Sequence, residues 1–462
     1  MTPRSRAALR ALPPGSSGLL SARPEPDLAA HGYTEVEHVV SGRAVSYVAG
    51  ERGLPGDGRF DLHEGEQADY ATRVVVRRPE GETRASGTLV AEWLNVSSGA
   101  DTAPDWTFTC EEILRAGHTW VGVSAQHVGV EGGGGSVSVG DLPPPPGLRG
   151  TDAQRYGDLH HPGDAFALDI FTQAVAAVRD LVAADVVLLV GESQSAFCLT
   201  TYANGVQPLT GLADAILLHS RGATAAPLGV PGVGLRMEEV LASHPVVIRD
   251  DLAVPVLVVQ TEGDLFDRIG FLPARQPDSD RLRLWEIAGA AHADHYVIGE
   301  FEAFLGSPVP VNRGQQWAVL RAALRHLDAW ARGGAAPPRA PRIETTTHGC
   351  VLDEHGLARG GLRTPVVEAP TQVVSGRAWP GAPVSVGLFG STTALDGLSA
   401  LHPSVEAYLA SYAHATDVAI AAGFVLAEDR EQVLAEVRPD LVESALEQMA
   451  PVAPTEIEES AR

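Results

Sequence analysis

The sequence predicts an α/β protein with a doubly wound, mostly parallel sheet, helices on both faces, and a mixed C-terminal extension. Two observations favour this class. Short runs that are apolar throughout alternate with segments of helical periodicity, which is typical of parallel strands covered on both faces. One of these runs ends on a serine between small residues, where a helix would begin. A chain of 462 residues is long enough for one large core with a substantial appendage.

The individual elements follow from local composition and periodicity. Segments with the composition of strands are, in order, 73–79, 88–94, 119–125, 186–190, 213–219, 254–260 and 281–288. Segments with apolar residues at helical spacing, or with a strong helical composition, are 105–116, 171–182, 317–332, 402–421 and 428–448. The alternation of the two kinds up to residue 332 predicts one continuous α/β core.

The composition also predicts how the chain is organised. Residues 1–30 are rich in proline and arginine and are expected to form a flexible N-terminal tail. Residues 31–335 are expected to form the α/β core, with a Gly/Pro-rich loop inserted at 128–163. Residues 342–462 are expected to form an extension that packs on this core.

The charge and composition of the chain disfavour some classes of partner and exclude some kinds of chemistry. A net charge of −24 disfavours binding to nucleic acid and to anionic membranes. The chain contains no lysine, which excludes Schiff-base chemistry, lysine-anchored pyridoxal phosphate and a P-loop. The cysteines are few and odd in number, 3 in all, which favours a reducing compartment over a disulfide-bonded fold. With neither a signal-peptide pattern nor an apolar stretch of membrane-spanning length, we expect a cytoplasmic protein.

The segment Gly191-Glu-Ser-Gln-Ser195 has the pattern of a nucleophile elbow. In such a turn a strained serine, here Ser193, lies between a strand and a helix, and its hydroxyl is lifted clear of the sheet. Only small side chains fit two residues before and after it, and Gly191 and Ser195 meet that requirement. A serine nucleophile also needs a base, a carboxylate that orients the base, and donors for the oxyanion.

The strands that follow supply an acid and a base in the expected order. His292 comes after the strand at 281–288 and is the expected base. Asp264 is the preferred acid, because the chain has left its strand there and can turn back toward the histidine. Glu262, nearer the strand and with a longer reach, is the alternative acid. Three groups in this order, each after a strand, predict a Ser-His-Asp triad.

The oxyanion hole and the pocket walls are predicted less directly. One oxyanion donor is expected to be the backbone N–H of Gln194, at the start of the elbow helix. The other is expected to be Asn95, from its backbone or side chain, although its side chain would serve equally in an Asx turn. Trp106, His295 and Tyr296 are candidates for the walls of a substrate pocket, with packing in the core as the alternative.

A metal site is an alternative interpretation of the same histidines. The segment His292-Ala-Asp-His295 matches part of the H-x-H-x-D-H signature of metallo-hydrolases, but position 290 is alanine. No upstream histidine cluster has metal-ligand spacing. The glycines at 132–135 lack the strand and helix that flank a dinucleotide site. We therefore expect no metal and no cofactor.

Taken together, several motifs resemble those of a bacterial alpha/beta hydrolase domain family over residues 30–450. They are the segments 92–96, 104–106, 122–126, 191–195, 285–294 and 360–365. The resemblance implies an α/β-hydrolase fold, catalytic roles for Ser193 and His292, and a C-terminal segment that belongs to the same architecture.

We therefore expect a serine hydrolase that cleaves a small carboxylic ester or lactone through an acyl-enzyme. Because the same triad serves several reactions, an amidase and an acyltransferase are alternatives. A non-catalytic binding protein on this fold and a metal-dependent hydrolase are alternatives from other classes.

Overall fold

The computed structural model describes residues 6–81, 85–136, 143–379 and 381–449. Its centre is a 9-stranded sheet with the order β1-β2-β3-β5-β4-β6-β7-β8-β9. The strands are β1 Ala8–Ala11, β2 Tyr33–Ala49, β3 Leu62–Pro79, β4 Thr88–Trp93, β5 Thr119–Val123, β6 Val186–Glu192, β7 Ala215–His219, β8 Val256–Thr261 and β9 Leu282–Ile287. Pairing is antiparallel from β1 to β5 across the sheet and parallel from β5 to β9.

The sheet carries a core on each face because its central strands present apolar side chains on both sides. In β6, Val187 and Leu189 belong to one core, and Leu188 and Val190 belong to the other. The first core includes the helices α5 and α6, and the second includes α1 and α10 (bounds below). The predicted doubly wound α/β fold, with helices on both faces, is confirmed.

The helices connect these strands and form most of the C-terminal segment. The α-helices are α1 Pro104–Ala116, α2 His127–Glu131, α3 Gly147–Thr151, α4 Ala153–Tyr156, α5 Ala167–Val182, α6 Gln194–Thr201, α7 Gln207–Thr210, α8 Met237–Leu241, α9 His295–Ile298, α10 Gln316–Ala331, α11 Pro365–Glu368, α12 Leu398–Leu401, α13 Val405–Ala421, α14 Arg430–Leu434 and α15 Pro439–Met449. Two small hairpins pair β10 Thr345–Thr346 with β11 Gly349–Cys350, and β12 Gln372–Ser375 with β13 Ser391–Ala394. The helix predicted over 428–448 is two helices, and the second begins at Pro439, because proline lacks the N–H that a helix interior needs but fits the first position of a helix.

The expectation of a flexible tail over residues 1–30 is wrong where the chain forms β1. This strand pairs with residues 38–41 of β2 and extends the sheet at its edge. Leu12 is buried beyond it, and the N–H of Leu20 donates to the Asp101 carbonyl at 3.0 Å. The prolines and arginines in and around this segment give it little strand character in the sequence. Its partner is the edge of β2, a strand that begins only at Tyr33.

The segment 128–163 is also more regular than the long loop that the sequence predicts. It contains part of α2 and all of α3 and α4, and Leu148 and Tyr156 pack with Leu12 in a small core of their own. Residues 137–142 of the predicted loop lie outside the described residues.

The long helix of the C-terminal segment and the two helices after it pack on the same face of the sheet as α1 and α10, whereas Ile343 and Ala358 belong to the first core. Tyr408 and Tyr412 of α13, with Val433 and Val442 of the two helices after it, belong to the second core. In the described ranges, no helix is both long enough and apolar enough to cross a membrane.

Candidate active site

Ser193 lies at the tight turn between β6 and α6. The strand is buried over its whole length, and the helix begins directly after the serine. Ser193 has φ 55° and ψ −118°, a conformation that costs on the order of 1–3 kcal/mol in a residue with a side chain. A Cβ at Gly191 would lie 2.8 Å from Leu199 Cδ1 and 3.0 Å from Ser195 Cβ. The small residues around the serine therefore let the strained turn pack against its own helix.

Three side chains that follow different strands form a continuous chain of hydrogen bonds. Ser193 follows β6, Asp264 closes the short turn after β8, and His292 lies in the loop after β9. The distance from His292 Nε2 to Ser193 Oγ is 2.8 Å, and that from His292 Nδ1 to Asp264 Oδ1 is 2.6 Å. The Asp264 carboxylate accepts a hydrogen bond from Nδ1–H of His292. The unprotonated Nε2 can then accept a hydrogen bond from the serine hydroxyl. The structure thus brings the predicted nucleophile, base and preferred acid together.

Asp264 is held in its ionised form. Its other oxygen, Oδ2, accepts the N–H of Thr261 at 2.6 Å and the hydroxyl of Ser220 at 2.8 Å. Burial raises the pKa of Asp264, but the charge and hydrogen bond of His292 and these two donors outweigh burial and lower it below the ordinary value. An ionised, fully bonded carboxylate can fix both the tautomer and the orientation of the imidazole.

Glu262, the alternative acid, faces away from His292. Its oxygens accept the N–H of Gly289 at 2.8 Å, and the N–H of Gly376 and the hydroxyl of Ser375 at 3.1 Å each. This carboxylate therefore ties the loop after β9 to the C-terminal segment. Between the two candidate acids, the geometry favours Asp264.

A second carboxylate, which the sequence analysis did not predict at the site, lies close to His292. Glu192 Oε1 lies 3.3 Å from His292 Nε2, the same nitrogen that meets the serine. Burial raises the pKa of Glu192 to about 7, against the opposing charge of His292. Burial lowers the pKa of His292, but the charge and hydrogen bond of Asp264, with the charge of Glu192, raise it above the ordinary value. The one available signal in the sequence was a carboxylate next to Ser193 at the end of an otherwise apolar strand.

The two predicted oxyanion donors differ in availability. Gln194 is the first residue of α6, so its N–H has no acceptor within the helix, and the residue lines the same cavity as Ser193. Asn95 is occupied: its N–H donates to the Thr102 carbonyl at 2.9 Å. Its Nδ2 donates to both the carbonyl and Oε2 of Glu192, at 3.0 Å each. The expected donor role of Asn95 is therefore corrected: its Oδ1 accepts the N–H of Ser97 at 2.8 Å, which is the alternative Asx turn, and its amide group positions Glu192.

Ser193 and His292 open into a cavity of about 330 Å³. Its walls are mainly apolar and come from both cores and from the C-terminal segment. They include Phe108, Phe197, Met237, Ile269, Ile298 and Phe389. The cavity gives an apolar substrate direct access to the serine hydroxyl.

The three residues expected to wall this cavity lie elsewhere. Trp106 is buried, and its Nε1 donates to Glu25 at 2.9 Å. Tyr296 stacks on Phe108, and His295 Nδ1 lies 2.8 Å from a Glu302 oxygen. His295 and Tyr296 line a separate cavity of about 340 Å³ under the C-terminal segment. Nearness to His292 in sequence was therefore misleading, because α9 turns these side chains away.

The metal-site alternative has no geometric support. His292 bonds to Ser193 and Asp264, whereas His295 bonds to Glu302, so the two histidines do not face a common point. In the ranges that the structure covers, no cluster of three or more His, Cys, Asp or Glu side chains could hold a metal ion.

Comparison with known proteins identifies a family. A family model described as alpha/beta hydrolase domain matches residues 6–435, and no curated protein matches the sequence at a significant level. Similar solved structures include a lid-less a/b serine hydrolase from Xanthomonas campestris, with 13% identity and a TM-score of 0.28, covering 53% of this chain and 83% of that one. A cold-adapted esterase from an Arctic intertidal metagenomic library has 13% identity and a TM-score of 0.29, covering 55% and 84%. The glucuronoyl esterase from Solibacter usitatus has 11% identity and a TM-score of 0.29, covering 64% and 86%.

Proposed function

The chain belongs to the alpha/beta hydrolase domain family, and we propose that it is a serine hydrolase that cleaves a small carboxylic ester or lactone through an acyl-enzyme. The observation that carries the proposal is the hydrogen-bond chain from Ser193 through His292 to Asp264, open to an apolar cavity. A buried serine without access would support only a structural role.

Each group has one task in the reaction. As Ser193 Oγ attacks the ester carbonyl, His292 Nε2 accepts its proton, and the N–H of Gln194 donates to the developing oxyanion. The imidazolium then gives that proton to the leaving alcohol, and the acyl group stays on Ser193. Water attacks the acyl-enzyme by the same route, again with His292 as base. Asp264 stays ionised throughout and stabilises the imidazolium.

Labelling with a fluorophosphonate tests the proposal. We expect wild type to be labelled and Ser193→Ala to be unlabelled, with esterase activity lost in parallel. A wild-type protein that binds esters without labelling or turnover would indicate a non-catalytic binder. Activity that a chelator abolishes would indicate a metal-dependent hydrolase. Either result would contradict the proposal.

The choice among reactions of this triad rests on products. We expect p-nitrophenyl esters of graded acyl length to give the free acid. Faster turnover of the matched anilides would favour an amidase, and transfer of the acyl group to an added alcohol in preference to water would favour an acyltransferase.

A further inference from the structure

A single guanidinium group lines the mainly apolar cavity beside Ser193. Arg268 belongs to the loop after β8, and its Nη2 donates to the carbonyl of Ser136 at 2.9 Å. That is its one hydrogen bond within the described residues, and no described carboxylate forms an ion pair with it. Since a guanidinium has five N–H donors, most of those on Arg268 are available to a ligand.

The carboxylates closest to Arg268 in sequence or in the cavity have other partners. Asp267 pairs with Arg377 at 3.2 Å. Glu192 lines the same cavity but is held by Asn95 at 3.0 Å and lies 3.3 Å from His292. Neither acid therefore neutralises Arg268.

The fully buried arginines of the molecule, by contrast, each have more than one hydrogen-bond or ion-pair partner. Arg73, which is fully buried, pairs with Glu37 and Asp101. Arg221, also fully buried, donates to the main-chain carbonyls of Gly222, Ala223 and Val246. In a chain of net charge −24, carboxylates are in excess, yet none occupies the position beside Arg268 among the described residues. A partly buried cation with apolar neighbours is costly without an anion, and this cavity is where a ligand could bring one.

We propose that Arg268 binds a carboxylate on the same substrate whose ester Ser193 attacks, so that the substrate class is a small ester with an apolar body and one free carboxylate. The inference rests on the proposed function. A guanidinium matches a carboxylate with two parallel hydrogen bonds. One positive charge in a strongly acidic protein suits a monoanion better than a dianionic phosphate ester.

The apolar body follows from the walls between the two polar ends. Ile269 is adjacent to Arg268 in the chain, and Phe197 follows Ser193 by one turn of α6; both line the cavity. A linear carbon chain would lie against these side chains, with its ester at Ser193 and its carboxylate at Arg268. The length of that chain is then fixed by the distance between the two groups.

The test compares monomethyl esters of linear dicarboxylic acids, from succinic to suberic, with methyl esters of the monocarboxylic acids of equal length. We expect wild type to prefer one length of the anionic series by about 10–100-fold in kcat/KM, as charge-assisted hydrogen bonds would give. Arg268→Gln should lose that preference, mainly through a higher KM for the anionic esters, so that its kcat/KM falls much further on the anionic series than on the neutral one. Arg359→Gln, which removes an exposed arginine that pairs with Glu344 and is not among the cavity-lining residues, is the matched control and should behave as wild type.

Equal kcat/KM for charged and neutral esters in wild type would overturn the proposal. So would an equal loss on both series in Arg268→Gln, since that would assign Arg268 to holding the Ser136 loop. Calorimetric binding of the same esters to Ser193→Ala separates this inference from the proposed function. Tighter binding of the anionic ester, lost in Ser193→Ala/Arg268→Gln, supports the Arg268 site even if wild type turns over neither series. Equal binding of both esters contradicts it.

Discussion

Two buried histidine–aspartate pairs lie at the carboxyl edge of the sheet, and they differ in what the second imidazole nitrogen meets. His292 bonds to Asp264 at 2.6 Å and to the Ser193 hydroxyl at 2.8 Å. His219, the last residue of β7, lies 2.9 Å from Asp105, but its Nε2 faces the Gln316 amide oxygen at 3.4 Å. The pairing with a carboxylate is common to both, so it does not by itself make a catalytic base. Access to a nucleophile and to a cavity distinguishes the two.

The pairs also differ in what they support. The ring of His219 packs against Phe108 with ring centres 5.5 Å apart, and its carbonyl accepts the N–H of Ser193 at 3.0 Å. Burial lowers the pKa of His219, but the hydrogen bond and charge of Asp105 outweigh it and raise the pKa above the ordinary value. We interpret this pair as a buried ion pair next to the tight turn at Ser193. It stabilises that turn through the hydrogen bond from the Ser193 N–H to the His219 carbonyl.

The largest effect should come from removing the nucleophile itself. We expect Ser193→Ala to reduce kcat by about 10⁶-fold, as in other triads in which the serine is lost. The measurement is steady-state hydrolysis of an activated ester, with circular dichroism and the melting temperature as checks on folding. A loss of kcat below about tenfold would contradict the assignment of Ser193 as the nucleophile and of His292 as its base. His292 would then no longer differ from His219 in function.

The two aspartates should then separate rate from stability. Asp264→Asn should reduce kcat by about 10⁴-fold, because an amide no longer fixes the imidazole tautomer. Asp105→Asn should instead lower the free energy of unfolding by about 3–5 kcal/mol, because His219 loses its buried counterion. Denaturant unfolding and kcat on both variants test this, with Glu262→Gln as the control that leaves the His292 tautomer intact. A large kcat loss in Asp105→Asn with unchanged stability would erase the distinction.

The pH dependence of stability gives the His219 pair a signature of its own. A histidine whose pKa is raised by folding contributes stability that is present in full below its unfolded pKa and is lost as pH rises through its folded pKa. The destabilisation in Asp105→Asn should therefore be largest on the acid side and shrink as pH increases. Unfolding free energies measured across pH for both proteins check the sign. A penalty that grows with pH would mean that His219 is neutral in the fold.

Glu192 should act on the pH profile more than on the maximal rate. Its charge is one of the causes that raise the pKa of His292, so Glu192→Gln should move the acidic limb of the kcat/KM profile to lower pH. Because Glu192 itself titrates with a pKa of about 7, the limb should also become steeper in the variant. Glu262→Gln is the control, as its carboxylate faces away from His292, and an identical shift there would point to a general electrostatic effect.

The smallest effect is expected at His295, the first residue of α9. His295→Ala should change kcat/KM by no more than about twofold, because His295 lines the separate cavity and pairs with Glu302. The ester series used for wild type measures this directly. A tenfold loss would return His295 to the substrate site.

Sequence reasoning went furthest where function depends on order along the chain. Ser193, Asp264 and His292 each follow an apolar strand, and the carboxyl ends of parallel strands share one edge, so order alone predicted that these residues meet. Asn95 and Glu192 could not be paired in this way. Their contact depends on β4 and β6 being neighbours in the sheet, and strand order is a tertiary property.

The sequence also could not show in which direction a side chain points or with which strand a short segment pairs. Tyr296 follows His292 by only four residues, yet it lines the separate cavity and not the one that holds Ser193. Likewise, Ala8–Ala11 has little strand character of its own and forms β1 because β2 offers an open edge. Neither the direction of a side chain nor a distant pairing partner can be read from residue type.

Acylation of Ser193 during turnover is the most direct test of the proposed mechanism. The protein is quenched in acid while it hydrolyses an activated ester, and its peptides are analysed by mass spectrometry. We expect the peptide that contains Ser193 to carry the acyl group, and Ser193→Ala to carry none and to be inactive. Steady hydrolysis by wild type with no acylated Ser193, together with undiminished hydrolysis by Ser193→Ala, would contradict it.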